Sequence, residues 1–144
     1  MDCVTCSTLV CRERDKRIGL NMTPSNTTPL LSVRNLRVGL QTSHGQLEAL
    51  RGVDFEMQCG DTLGLIGESG CGKSLTALAI MGLLPERATV SGSIALNGTD
   101  LTQLSDEALC TLRGTRMAMI FQEPMTALNP LRPIWKQIAE PLQL

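Results

Sequence analysis

Apolar and polar positions change rhythm along the 144-residue chain, and the changes mark out its elements. Residues 1 to 28 lack periodicity and run into the polar stretch TPSNTTP, which predicts a disordered tail and linker with order beginning near Pro29. LLSVRNLRVGL alternates as a strand does, QTSHGQ has turn chemistry, and LEALRGVDFEMQ supplies one or two more strands before Gly60-Asp61. This opening is antiparallel. TLGLIG is a short apolar run bounded by glycine, as expected of a buried parallel strand. KSLTALAIMGLL carries apolar residues on most faces and is followed by Pro85, so it predicts a buried helix.

Beyond it, GSIALNGTDL reads as a strand with an Asn-Gly turn. Ser105 makes a good N-cap for a helix with Asp106 and Glu107 in its first turn, running to about Arg113 and ended by Gly114. RMAMIFQ predicts a second buried strand and EPMTALNP a loop, and a last helix from about Arg132 is interrupted by Pro141. The expected fold is α/β, an antiparallel subdomain followed by part of a parallel core sheet over residues 29–144.

Between the predicted strand TLGLIG and the predicted helix stands Gly67-Glu68-Ser69-Gly70-Cys71-Gly72-Lys73-Ser74, which satisfies G-x-x-x-x-G-K-[ST] in the context that gives the pattern its meaning. Glycines let successive backbone N–H groups turn inward around a phosphate that side chains would otherwise block. The helix beginning near Gly72 adds unpaired amides and the positive end of its dipole. Lys73 can reach the β and γ oxygens of a nucleotide as a point charge, and the Ser74 hydroxyl is placed to ligate Mg²⁺. Cys71 is small and is expected to contribute mainly its backbone. A glycine-rich turn with a solvated lysine is the plainer interpretation, and the flanking strand and helix argue against it.

Composition narrows the possibilities. A formal net charge of −1 gives no basic surface for a nucleic acid, and Phe55, Phe121 and Trp135 are the only aromatic residues available to stack on bases. No apolar run reaches the length of a membrane span, and the charged cluster RERDKR does not precede the long apolar core of a secretory signal. A cytosolic location follows, with the six cysteines as reduced thiols. Cys3, Cys6 and Cys11 form C-x-x-C-x4-C; a fourth ligand at structural-zinc spacing is lacking and His44 is the only histidine, so a thiol-bearing tail is favoured over a metal site. Met22, just ahead of TPSNTTP, looks like a natural start, and a further reading leaves residues 1–21 untranslated.

LRVGLQTSHGQLEALRGVDFEMQCGDTLGLIGESGCGKSLTALAIMGLLP, followed by GSIALNGTDL and RMAMIFQEPMTALNP, resembles the first half of the ATP-binding subunit of an ABC transporter. Within that family it is similar to the oligopeptide, dipeptide, nickel and glutathione importers, over about Leu30 to Leu144. The resemblance implies that Gly67 to Ser74 are the Walker A loop for ATP, that Ser74 and Gln122 ligate Mg²⁺, and that Gln122 also contacts the attacking water. It implies that the loop after Gln122 senses transmembrane permease subunits, that a second ATP-binding subunit is a partner, and that the protein lies peripherally on the cytoplasmic side of the bacterial inner membrane. Leu40 aligns where the family has an aromatic residue against adenine, so apolar contact would replace stacking there.

No L-S-G-G-Q loop, second acidic strand, catalytic glutamate or switch histidine follows Gln122. The sequence therefore reads as a truncated product, expected to lose nearly all hydrolysis. A non-catalytic nucleotide-binding or transporter-docking module is the alternative from another class. A small kinase or GTPase is less consistent, because no acceptor site, arginine-bearing lid or N-K-x-D appears.

Overall fold

The computed structural model describes residues 8–11, 28–43, 45–121 and 128–142. In chain order its strands and α-helices are β1 (Thr8–Cys11), β2 (Leu31–Thr42), β3 (Gly45–Met57), α1 (Lys73–Met81), β4 (Thr89–Leu96), β5 (Thr99–Asp100), α2 (Asp106–Leu112), β6 (Met117–Ile120) and α3 (Ile134–Ala139). A four-stranded antiparallel sheet has the order β3-β2-β4-β5, and β1 pairs antiparallel with β6 in a second sheet.

The inward face of β2 explains the first sheet. Leu31 and Val33 are buried at alternate positions, and then Leu36 and Val38 are buried in the opposite phase. A strand changes phase in this way only by taking up one extra residue, and Asn35, at φ 45°, sits where the register to both neighbours shifts. Asparagine tolerates positive φ, and the Asn35 N–H donates to Asp54 Oδ1 at 2.8 Å. Opposite it, Gly92 has φ 93°, and a Cβ there would overlap the carbonyl oxygens of Asn35 and Arg34. β4 closes on β2 because this residue has no side chain.

The predicted local turns are present. Asn97 and Gly98, at φ 50° and 79°, join β4 to β5 with the positive angles that a two-residue hairpin requires. Thr42 pairs with Gly45 to close the β2–β3 hairpin, while His44 lies outside the described residues. Ser105 caps α2, its Oγ accepting from the Ala108 N–H at 3.3 Å, and Gly82 ends α1 in the left-handed region. The core combines Leu31, Val33, Leu36, Val38, Ile94 and Leu96 from the sheet with Ala79, Ile80 and Met81 of α1, Leu109 of α2 and Met117 of β6. α1 is thus the buried helix that its sequence predicts.

The parallel arrangement expected of TLGLIG and RMAMIFQ is not found among the described residues. Residues 62–67 form no strand; Leu63 and Leu65 are exposed, and Ile66 is 95% exposed. Strands of a parallel sheet are stable when paired at their edges and covered on both faces, and no described strand pairs with this run. β6 does form, but its described neighbour is the antiparallel β1, which lies within the stretch that the sequence marks as tail. Its last residue, Ile120, and the following Phe121 are exposed. The one parallel contact among the described residues is the isolated bridge between Arg113 and Met117. The last helix is also shorter than its sequence pattern, covering Ile134–Ala139 with no buried residue.

Candidate functional site

The glycine-rich stretch is an exposed loop that ends on the first turn of α1. Gly72 is the N-cap, at φ 95° and ψ 4°, and no side chain caps the helix. The first N–H groups of a helix have no partner within it, so the first turn of α1 presents donors and a positive dipole end with no acidic residue to offset them. The Thr76 N–H donates to Gly72 O at 2.8 Å, and the buried Thr76 hydroxyl donates to the same oxygen at 3.0 Å. The turn is therefore fixed from inside.

Lys73 folds back across the loop. Its ammonium donates to Gly67 O at 2.8 Å and Glu68 O at 2.7 Å, with Cys71 Sγ at 3.3 Å. The Cys71 N–H donates to Glu68 O at 3.3 Å, closing a turn over residues 68–71. Gly67 is needed for space, since a Cβ there would stand 2.6 Å from Cys71 Sγ. Gly72 is needed twice over, for its positive φ and because a Cβ would overlap Leu50 Cδ2 and lie 3.5 Å from Ala49 O. The loop thus leans on β3 at Leu50 and Ala49. Cys71 contributes more than backbone, because its sulfur fills the room left by Gly67.

The sequence-predicted residues fall into three groups. Gly67, Glu68, Ser69, Gly70, Cys71, Gly72, Lys73 and Ser74 come together in the loop and the first helical turn, with the Ser74 hydroxyl exposed. Leu40 is partly buried in β2, opposite Leu47, and packs against the core cluster. Gln122 lies outside the described residues, as do Cys3 and Cys6. Among the described residues there is no His/Cys/Asp/Glu cluster able to hold a metal ion, and no helix is long and apolar enough to cross a membrane.

Two supporting residues escape a reading of the sequence. Leu50 is the wall behind Gly72, and only the pairing of β2 with β3 places it there. Thr76 has a local signal, a hydroxyl four residues after Gly72, the spacing at which Ser and Thr bond back to a helical carbonyl.

The ABC transporter family model matches residues 50–139, a span that contains the whole loop, α1, α2 and β6. The chain is 45% identical over 117 residues to a probable peptide ABC transporter ATP-binding protein of Sinorhizobium fredii, covering 80% of this chain and 35% of that protein. It is 43% identical over 121 residues to an oligopeptide transport ATP-binding protein of Salmonella typhimurium, covering 84% of this chain and 36% of the relative. A dipeptide transport ATP-binding protein of Bacillus subtilis is 46% identical over 115 residues, covering 78% and 34%. The matched region is thus about a third of the length of these relatives. With a matched span this long, and with the glycine loop seated at the N-terminus of a buried helix inside it, the chain belongs to the ABC transporter family.

Proposed function

We propose that Gly67 to Ser74 bind the phosphates of Mg-ATP, and that the chain serves as nucleotide-binding part of a transporter subunit that couples ATP hydrolysis to import of peptides or similar small solutes. The observation that carries this reading is the Lys73 ammonium drawn across a glycine loop at the uncapped N-terminus of α1. Such a terminus favours anions by both its free donors and its dipole. The names of the relatives support the transport role, and peptide is the cargo that they print.

The donors in the loop fit the ligand. Gly70 leaves its side of the loop open, with nothing within 4 Å of its Cβ position, and Lys73 supplies a positive charge. Mg²⁺ takes oxygen ligands, and the exposed Ser74 hydroxyl offers one, with the Gln122 amide oxygen a second by family resemblance. When bound, the metal would neutralise charge on the phosphate oxygens. Lys73 then orients the terminal phosphates, the helical amides hold the inner one, and Leu40 offers an apolar surface to the base. Transmembrane permease subunits and a second ATP-binding subunit are the partners, with the complex on the cytoplasmic side of the bacterial inner membrane.

Equilibrium titration of the full chain with a fluorescent ATP analogue and Mg²⁺ tests the reading. Saturable binding is expected, and Lys73→Ala should raise Kd at least about tenfold, since hydrogen bonds to charged groups contribute about 1.5–3 kcal/mol. Absence of saturation, or equal affinity in the variant, would overturn it.

A further inference from the structure

The far end of α1 carries a side-chain cap supplied by α2. Arg113, the C-cap residue of α2, sends its Nε–H to Met81 O at 2.8 Å and its Nη2–H to Gly82 O at 3.0 Å. Its Nη1 lies 2.9 Å from Asp106 Oδ1 and 3.5 Å from Cys110 Sγ, and the side chain is only 18% exposed. A helix ends with carbonyls that have no intrahelical partner. Those of Leu78 and Ala79 receive the Leu83 and Gly82 N–H groups, and Arg113 supplies donors to the oxygens of Met81 and of the C-cap residue Gly82. Its positive charge also sits at the negative end of the α1 dipole. Leu109 closes the joint from below, since a Cβ on Gly82 would stand 2.6 Å from Leu109 Cδ1 and 3.1 Å from Arg113 Nη2.

The near end of α1 rests on β3, where Gly72 abuts Leu50 and Ala49. Nine residues make a rod about 13 Å long, with Gly72 against β3 at one end, Arg113 at the other, and Thr76, Ala77, Ala79, Ile80 and Met81 buried along the face between them. Losing Arg113 leaves the direction of α1 to its buried face and to the Gly72 end, and the phosphate loop is continuous with that end. Arg113 is itself rigidly placed: its N–H donates to Leu109 O at 2.9 Å, and the next residue, Gly114, donates to Met117 O at 2.8 Å.

We propose that Arg113 is a positioning residue for the phosphate loop. By holding the C-terminal carbonyls of α1 it sets the direction in which the first helical turn, Lys73 and Ser74 face a bound phosphate. It also ties that direction to the turn leading into β6, the strand that runs on toward Gln122. Arg113 touches no ligand and acts through the helix alone. The proposal rests on the ATP-binding reading for its consequence, and on the two hydrogen bonds for its mechanics.

The test uses the full chain with Arg113→Ala, Arg113→Lys and Asp106→Asn, followed by amide hydrogen exchange and by Mg-ATP titration. Arg113→Ala should speed exchange at residues 70–76 while Val33, Leu36 and Ile94 in the sheet keep their rates, and should raise Kd by about fivefold or more, the lower end of coupling carried between sites. Arg113→Lys, which keeps the charge and can reach one carbonyl, should recover part of both effects. Asp106→Asn leaves both hydrogen bonds to α1 and should leave loop exchange and Kd unchanged. Loop exchange and affinity unaltered in Arg113→Ala would overturn the proposal, as would exchange accelerated uniformly through the sheet, which marks a purely structural role. If Arg113→Ala does not fold, the Arg113→Lys and Asp106→Asn pair decides: equal effects from both overturn the proposal, and an effect confined to Arg113→Lys supports it. If the unaltered chain binds no Mg-ATP, the ATP reading falls, and loop exchange alone decides for or against Arg113.

Discussion

Replacing Gly72 with alanine should be among the more damaging single-methyl additions available in this molecule, for two separable reasons. Gly72 has φ 95°, and an L-residue in left-handed backbone costs roughly 1–2 kcal/mol. The added Cβ would also overlap Cδ2 of Leu50, which is 3% exposed and has little room to retreat, and overpacking of this kind costs about 1–3 kcal/mol. The expected total of about 2–5 kcal/mol is a large fraction of the roughly 5–15 kcal/mol that holds a domain folded. Gly70 separates the two contributions: its φ is 82°, but nothing lies within 4 Å of its Cβ position. Gly70→Ala should therefore show the backbone cost alone. Urea unfolding of the full chain, followed by far-UV circular dichroism, should place the Gly72→Ala midpoint about 1–2.5 M below the unaltered chain, for a slope of about 2 kcal/mol per M. In a Leu50→Ala background the packing part should vanish, and a double-mutant cycle reports that coupling. Equal destabilisation by Gly70→Ala and Gly72→Ala, or a Gly72→Ala effect undiminished without the Leu50 side chain, would refute the reasoning.

Gly92→Ala should be costlier still, about 4 kcal/mol or more, because its Cβ would meet backbone atoms of Asn35 and Arg34 that retreat only if β2 and β4 part. Thermal unfolding checks the size, and loss of exchange protection at Val33, Leu36 and Ile94 checks the location. Ser105→Ala removes the cap of α2 and should cost about 0.5–2 kcal/mol in the same thermal assay. Because Ser105 takes part in neither hydrogen bond from Arg113 to α1, nucleotide affinity should stay where it was.

What could be read from the sequence was local. The α1 helix, which ends at Met81 instead of running on toward Pro85, the Asn97-Gly98 turn and the Ser105 cap each follow from residues within a few positions of one another. The glycine-rich loop ahead of α1 was legible for the same reason, since its glycines, lysine and serine are contiguous. TLGLIG failed as a strand because an apolar run specifies burial but not a pairing partner, and a strand exists only with its neighbour. The phase change of β2 was hidden inside an alternation that looked continuous, because Asn35 could be an ordinary outward residue or an inserted one. Arg113 gave no signal at all. It stands before a glycine as many helix-ending residues do, and nothing in the order of residues connects it to Met81, 32 positions earlier.

The embrace of Gly67 and Glu68 by the Lys73 ammonium changes what a lysine knockout measures. A positive charge that clasps its own loop is a latch as well as a hand, and alanine removes both. Two carbonyls are then left to water and the loop loses its internal clasp, so weaker binding in Lys73→Ala sums a missing contact with a slackened cradle. Reaction of the exposed Cys71 thiol, which neighbours that ammonium and fills the space beside Gly67, offers a way to weigh the second part by itself.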